Sequence, residues 1–418
     1  SGRTGTTTNQ ENPVSVAAAV GVSIVSHDVS TRVSGTVKKA KTVTIKAENL
    51  DNFEMLATGA AVSKKNSIAL GVAVIINNSK TVAQLTGNLG TSGTSVGEIL
   101  IQAVTRHNMD DDYKTRLGAE AIAGAGSGGS GGFAVAGAVA VIVSNAETNA
   151  SVGNDVIIYS NGNMTVEAIE QSKLAARAWG ASLTDSRFNE QNGSGKTSGS
   201  NGNSDSKAGV GGAYAMIYVN NKTTAEIGDN AQITAKSLLV KAEKQQVSAK
   251  ADDIGGNIKI NGVIKTGSTQ IKDGKVEINT TDDAQSSEDL KLSDLASVVK
   301  DLWNLLSNNN YYLEAVGGAA STENTKFTGA GSFTVLVIND YVAALVGKNV
   351  TLILTNGLTV KAASKVNAVT IAGSVAYGGS KSAGVGINTI IHNSKVNAGL
   401  GDGSTVTGAN GGSWNGDV

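Results

Sequence analysis

The 418-residue chain has no cysteine, which rules out a disulfide framework and a thiolate metal site alike. It has one proline, and only 4% of its residues are aromatic. No stretch reaches the roughly 18 consecutive apolar residues of a membrane-spanning helix. Neither sign of charge is in excess: 34 Lys and Arg stand against 35 Asp and Glu, a formal net charge of −1. Nucleic acid and anionic membrane surfaces both need clustered positive charge, so neither is an expected partner. What the chain has in quantity is glycine, 52 residues in all. That composition suits stacked strands joined by tight turns better than a globular α/β enzyme. The lack of cysteine also suits an exported chain that stays unfolded until it has crossed a membrane. With no signal peptide, a Ser-Gly start and a close partway through a repeat, the chain is expected to be a fragment of something longer.

Residues 208–243, AGVGGAYAMIYVNNKTTAEIGDNAQITAKSLLVKAE, recur in altered form along the whole chain. Aligning the copies on one polar position, Ser26, Asn78, Asn145, Asn220, Asn339 and Asn393, yields six units. Two, four and six residues before the anchor stand Ile24, Val22 and Val20; then Ile76, Val74 and Val72; then Val143, Val141 and Val139. The columns continue as Tyr218, Met216 and Tyr214; Val337, Val335 and Phe333; and Ile391, Thr389 and Ile387. Between them lie mostly small residues such as Gly71, Ala73, Ala138, Ala140, Ala213 and Ala215. Alternation with period two is a strand signature, and its repetition at fixed phase marks a solenoid. A second strand-like segment ends on Ala47, Ala103, Ala168, Ala242 and Ala362, at 21 to 25 residues beyond the anchor. From that Ala to the next anchor the distance varies from 31 to 97 residues, so every insertion falls in one segment of the unit.

These patterns predict an all-β protein, a parallel β-helix (β-solenoid) rod with one insertion of β-hairpins and an α-helix. Each unit is expected to form two or three coils, with the large Val, Ile and aromatic positions pointing inward. The Asn anchors are read as structural turn residues able to form a ladder, and Gly153, Gly228, Gly347 and Gly401 as the next turn. Residues 1–12 are expected to be disordered, and repeats to span 13–251 and 327–418. Lateral loops are placed near 124–132 and 184–207, leaving on one side. The insertion, 252–326, combines Asn-Gly and Asp-Gly hairpin signals with a helix over 287–308 whose Leu and Val residues recur at helical spacing. A string of small β-sandwiches is the rival fold.

The segments GVGGAYAMIYVNNKTTAEIGDNAQITAKSLLVKAE and FAVAGAVAVIVSNAETNASVGNDVIIYSNGNMTVEA resemble repeats of large bacterial exported filamentous adhesins, of the leukotoxin and filamentous-haemagglutinin-like type. The resemblance covers nearly all of the chain outside the insertions and rests on a repeat pattern, with no catalytic fingerprint. It implies a β-helical rod, secretion across an outer membrane to the cell surface, and contact with a host-cell or microbial surface protein or glycan. Trp303, Tyr311 and Tyr312 are the candidate partner-binding residues, with sealing of the helix onto the rod as the plainer reading. His27 and His392 flank the anchor and are read as turn residues, and Asp110–Asp112 as a solvated acidic run. No metal site and no cofactor is expected. The alternative is a carbohydrate-active β-helix enzyme, for which Asp252, Asp253, Asp282 and Asp283 are the nearest carboxylate pairs. Neighbours on a strand point to opposite faces, which weighs against them.

Overall fold

The structure, a computed structural model, describes residues 2–8, 14–63, 65–107, 117–127, 132–184, 208–245, 267–272, 275–280, 309–321, 326–378 and 380–408. Each repeat makes one turn of three strands. The first turn is β1 (Gly2–Thr8), β2 (Val14–Val33) and β3 (Thr42–Leu50); the second is β4 (Phe53–Ser63), β5 (Asn66–Leu85) and β6 (Glu98–Arg106). The third is β7 (Leu117–Ser127), β8 (Phe133–Val152), the short β9 (Ile157–Tyr159) and β10 (Met164–Gln171). The fourth holds β11 (Leu174–Thr184), β12 (Ala208–Ile227) and β13 (Gln232–Lys244), followed by the inserted strands β14 (Gly267–Lys272) and β15 (Lys275–Thr280). β16 (Tyr311–Ser321), β17 (Phe327–Val346) and β18 (Thr351–Ser364) form the fifth, and β19 (Ala368–Tyr377), β20 (Ser382–Leu400) and β21 (Thr405–Gly408) the sixth.

Equivalent strands pair in parallel into three sheets. Sheet I is β1-β4-β7-β11-β16-β19, sheet II is β2-β5-β8-β12-β17-β20, and sheet III is β3-β6-β10-β13-β18-β21. Hydrogen bonds run along the stack, and the three sheets remain separate, so the architecture is solenoid-like without closing into a barrel. The aligned sequence columns are the actual register: Ser26 pairs with Asn78 and Asn78 with Asn145, while Ala47, Ala103, Ala168, Ala242 and Ala362 form one row of sheet III. Every sheet takes a strand from every repeat, which excludes a string of separate sandwiches.

The strands of sheet II, 20 residues long in five coils and 19 in the sixth, serve two cores in succession. Their first halves pack on sheet I through Ala and Ile, as with Ala69, Ala73, Ile75, Ala121 and Ala138. Their second halves pack on sheet III through larger groups such as Leu85, Val152, Ile227, Ile101 and Val240. Sheets I and II approach so closely that a Cβ built on Gly71 would lie 2.6 Å from the carbonyl oxygen of Ile122. Only small side chains fit most rows of that gap. Gly153, Gly228, Gly347 and Gly401 each follow the last residue of a long strand, as expected of turn glycines. Two residues on, Asp155, Asn230, Asn349 and Gly403 hold left-handed φ of 55° to 75°.

Several expectations are corrected. One repeat makes one wide coil, since a 20-residue strand leaves no residues for a second. The large columns face outward: Val74, Val141, Met216 and Val335 lie on the outer face of sheet II, half-buried only because they stack on in-register neighbours. Asn78, Asn145, Asn220, Asn339 and Asn393 sit mid-strand rather than in a turn. Part of the ladder expected of them does form, with Asn145 Nδ2 donating to Asn78 Oδ1 at 2.9 Å and Asn393 Nδ2 to Asn339 Oδ1 at 3.0 Å. Residues 2–8, expected to be disordered, form β1 paired with β4. The extra segments leave from both ends of the sheet I strands, not from one side, and residues 124–127 of the expected glycine loop complete β7. Within the insertion, β14 and β15 form the antiparallel hairpin that Asp273-Gly274 signalled. The helix expected over 287–308 lies outside the described residues.

Ala73 and Val74 separate the two assignments of inside and outside. Ala73→Leu should destabilise the fold by about 1–3 kcal/mol through overpacking, and Val74→Thr by less than about 0.5 kcal/mol. Urea-unfolding midpoints measure both, and a larger loss at Val74 contradicts the packing described.

Candidate functional site

Between the two cores, at mid-length of the sheet II strands, runs a buried polar seam. The inward positions beside the anchors supply one wall, as Asn77 and Ser79, Ser144, Asn221, and Asp340. The ends of the sheet III strands and the corners after them supply the other, as Asn49, Asp51, Thr105, His107, Glu170, Ser172 and Lys244. Asn49, Thr105, Glu170 and Lys244 form one row of sheet III, two residues beyond the shared Ala. Parity on the strand sends that row inward.

The bonds run continuously through the first five coils. His27 Nδ1 meets Asp51 Oδ1 at 2.5 Å, and Asn49 Nδ2 donates to Asp51 Oδ2 at 2.9 Å. Ser79 Oγ lies 3.0 Å from Asp51 Oδ2 and 2.7 Å from Asn77 Oδ1. The Asn77 amide donates to His107 Nε2 at 3.0 Å, so that nitrogen accepts and Nδ1–H faces Ser172 Oγ at 3.0 Å. Ser172 in turn donates to Glu170 Oε1 at 2.6 Å. Asn221 Nδ2 at 2.6 Å and Thr223 Oγ1 at 2.9 Å also donate to Glu170. Lys244 Nζ bridges Glu170 Oε1 at 3.5 Å and Asp340 Oδ1 at 2.6 Å. A second line of hydroxyls, Thr148 to Thr105 to Thr81, bonds at 2.7 Å and 2.8 Å.

Charge within the seam follows the number of donors. Burial works against ionisation of Glu170, but Lys244 and the bonds from Ser172 and Asn221 outweigh it and hold the carboxyl below its usual range. Asp340 has Lys244 as its hydrogen-bond donor, and burial pushes its carboxyl up. Burial alone would depress the Lys244 ammonium, yet Glu170, Tyr311 and Asp340 together push it up. Burial lowers His107 despite the nearby Glu170, so the imidazole stays neutral in the tautomer its bonds require.

Tyr311 and Tyr312 are corrected from partner-binding residues to buried ones. Tyr311 is 0% exposed, its ring facing Lys244 Nζ at 5.4 Å. Tyr312, 2% exposed on the other face of sheet I, donates to Glu314 Oε2 at 2.7 Å. Glu314 also lies 3.4 Å from Arg177, which reaches Glu120 at 3.5 Å and covers the Trp179 ring at 4.5 Å. His27 and His392 stand within strands, not turns. Trp303, Asp110–Asp112, Asp252, Asp253, Asp282 and Asp283 lie outside the described residues. Sequence reasoning missed Asp51, His107, Glu170, Lys244 and Asp340. For Glu170 and Lys244 the signal was the polar column two residues beyond the shared Ala; Asp51 and His107 stand four residues beyond it, and Asp340 directly follows an anchor.

Among the described residues, no group of three or more His, Asp or Glu side chains could hold a metal ion. A shallow surface hollow is lined by Asn220, Asn339, Asp340, Tyr341, His392, Asn393, Ser394 and Lys395, so the seam reaches this hollow at Asp340. The seam is buried apart from His27, whose side chain is 43% exposed, and its bonds tie successive coils together, with Asp340 Oδ2 left without a hydrogen-bond partner among the described residues. Compared with protein-family models, curated proteins and solved structures, the chain matches none.

Removing one partner should expose this dependence. Lys244→Met leaves two carboxyl groups buried without their cation and should destabilise by about 3–5 kcal/mol in urea titration. Adding Glu170→Gln to that variant should recover part of the loss, whereas independent additive losses would show that the pair is not coupled. A second expectation concerns pH. With its folded-state pKa depressed, His107 contributes stability that is complete above the unfolded value of 6.5 and is lost as pH falls below it. His107→Gln should therefore flatten the fall of the thermal midpoint between about pH 6.5 and pH 5 relative to the parent chain, and an unchanged slope would contradict the assignment.

Proposed function

We propose that the chain is an extended structural and adhesive segment, a β-helical rod from a secreted bacterial surface filament that mediates attachment to a host-cell or microbial surface protein or glycan. The observation that carries this reading is the separation of roles along the chain. The repeats form a parallel stack of matching strands with a polar seam buried inside it, while length variation falls in the segments between those strands. The longest departs after Gln245 and returns at Asn310. Asn310 Nδ2 donates to the Gln245 carbonyl oxygen at 3.1 Å and to that of Ser172 at 2.9 Å. The insertion thus closes where it opened, as a module carried by the scaffold would. The carbohydrate-enzyme reading finds no convergent pair of exposed carboxylates in the seam among the described residues: Glu170 is buried, and Asp340, which lines the surface hollow, is itself only 4% exposed.

Since β16 starts at Tyr311, a deletion reaching Lys326 would remove a core strand; residues 252–308 can be excised without touching one of the stacked strands. Replacing them by a short Gly-Ser linker should leave the far-UV circular dichroism of a β protein and the unfolding midpoint nearly unchanged, and should abolish binding to host cells or arrayed glycans. Retained binding would move recognition to the stack. Hydrolysis or elimination of a glycan by the intact chain would replace this proposal with the enzymatic one.

A further inference from the structure

The outer face of sheet II is apolar across all six strands. From the row of Val16 to the row of Ile24 it presents Val, Ile, Leu, Met, Phe and Tyr with Ala, Gly and Thr, and no charged group. Val22 is 56% exposed, Ile24 70%, Phe333 44% and Ile391 46%. Six strands about 4.8 Å apart and nine residues rising about 3.3 Å each make a face of roughly 850 Å². That exceeds the few hundred Å² usual on a monomer and matches the approximately 800 Å² that each partner contributes to a stable interface.

What borders this face identifies its occupant. Next to the apolar rows runs the anchor row, Ser26, Asn78, Asn145, Asn220, Asn339 and Asn393. Beyond it lies a charged row, Asp28, Lys80, Glu147, Lys222, Tyr341 and Lys395, again in register across the six strands. Read from first coil to last, the charges are minus, plus, minus, plus, aromatic, plus. Reversing the order and laying it on itself brings Asp28 opposite Lys395, Lys80 opposite Tyr341, and Glu147 opposite Lys222. Every position meets a complement: two opposite-charge pairs and one cation facing an aromatic ring. In the anchor row the same operation sets amide or hydroxyl against amide throughout.

We propose that two copies of the chain pair face to face through the outer surface of sheet II, with the stacks antiparallel and a two-fold axis along the strand direction. Such an isologous contact is self-complementary and closes at two copies. The two sheets would lie about 10 Å apart with strand directions aligned to within about 30°, as twisted sheets pack. Within one chain Lys80 already lies 3.4 Å from Glu147 and Lys395 5.8 Å from the Tyr341 ring, so a copy must add to these pairs. A two-fold axis along the stack would set the charged row against uncharged rows and add nothing, whereas the antiparallel arrangement brings opposite charges from the second copy. This pairing is independent of what the insertions bind.

Sedimentation equilibrium of the intact chain tests it, and the expected mass is that of a dimer. Met216→Lys, in the middle of the face, should give a monomer with unchanged circular dichroism. Asp28→Lys and Lys395→Asp should each weaken association about threefold to tenfold, and combining them should restore it, since the exchanged charges still face each other. Because the chain has no cysteine, Asp28→Cys with Lys395→Cys supplies a geometric readout. Those positions are five strand spacings apart in one chain, about 24 Å, and can form a disulfide only between copies. A monomer at about 100 μM, a dimer indifferent to Met216→Lys, or no recovery in the double charge exchange would overturn the proposal. So would a monomer that binds phosphatidylcholine vesicles through this face, which would assign it to lipid.

Discussion

The close approach of sheet I to sheet II is the constraint from which the remaining architecture follows. Where the two backbones come within reach of each other's carbonyl oxygens, as at Gly71 and Ile122, most inward rows of the sheet II strands hold Gly, Ala, Ser or Thr and no large apolar side chain. The large β-branched residues of the same strands must then stand outside. They are not idle there, because parallel in-register pairing sets each against its equivalent one strand away and buries the sides of both. The result is a thin, tightly packed half with an Ala-rich interior and an apolar outer wall. The second half, facing sheet III, is wider and holds Leu, Ile and Val inside.

A strand that crosses from a narrow core to a wide one passes a region that neither fills, and the polar seam occupies it. Glu170, Lys244 and Asp340 come from successive coils, so their ion pairs act along the stack, in the direction of the strand pairing. A buried pair of this kind adds little net stability over a well-packed apolar alternative, because desolvation offsets the attraction. Its consequence is selectivity of register. Slipping one strand by a residue would send Lys244 to the outer face and leave Glu170 buried without a cation. Ala columns alone would tolerate such a slip far better, since one small residue packs much like another.

Repetition was legible in the sequence, while orientation was not. Six aligned units and two of their columns, on the anchors and on the shared Ala, reproduce the strand register residue for residue. Period-two alternation cannot say which face is inside when both are apolar, and the usual preference for large groups in cores pointed Val74 and Val141 the wrong way. The decisive fact, the spacing between sheets, is tertiary. Coil count failed for a related reason: a 52-residue unit divides naturally into short strands, and nothing local announces that Asn66–Leu85 is one uninterrupted strand. The seam was hidden because each of its groups is unremarkable in its own unit. Asn49, Thr105, Glu170 and Lys244 differ in charge, and only the column shared with the preceding Ala reveals them as neighbours.

One coil per repeat is the claim on which everything else stands, and an intramolecular distance tests it most directly. Lys46 and Lys361 occupy the same outward row of sheet III, in the first and fifth coils, separated by Gln102, Glu167 and Lys241. Replacing both by Cys in this cysteine-free chain allows spin labels to be attached and their separation measured by pulsed electron resonance. Four strand spacings of about 4.8 Å predict a backbone separation near 19 Å. Two or three coils per repeat would place the labels roughly 38 to 58 Å apart, and a distance in that range would contradict the account.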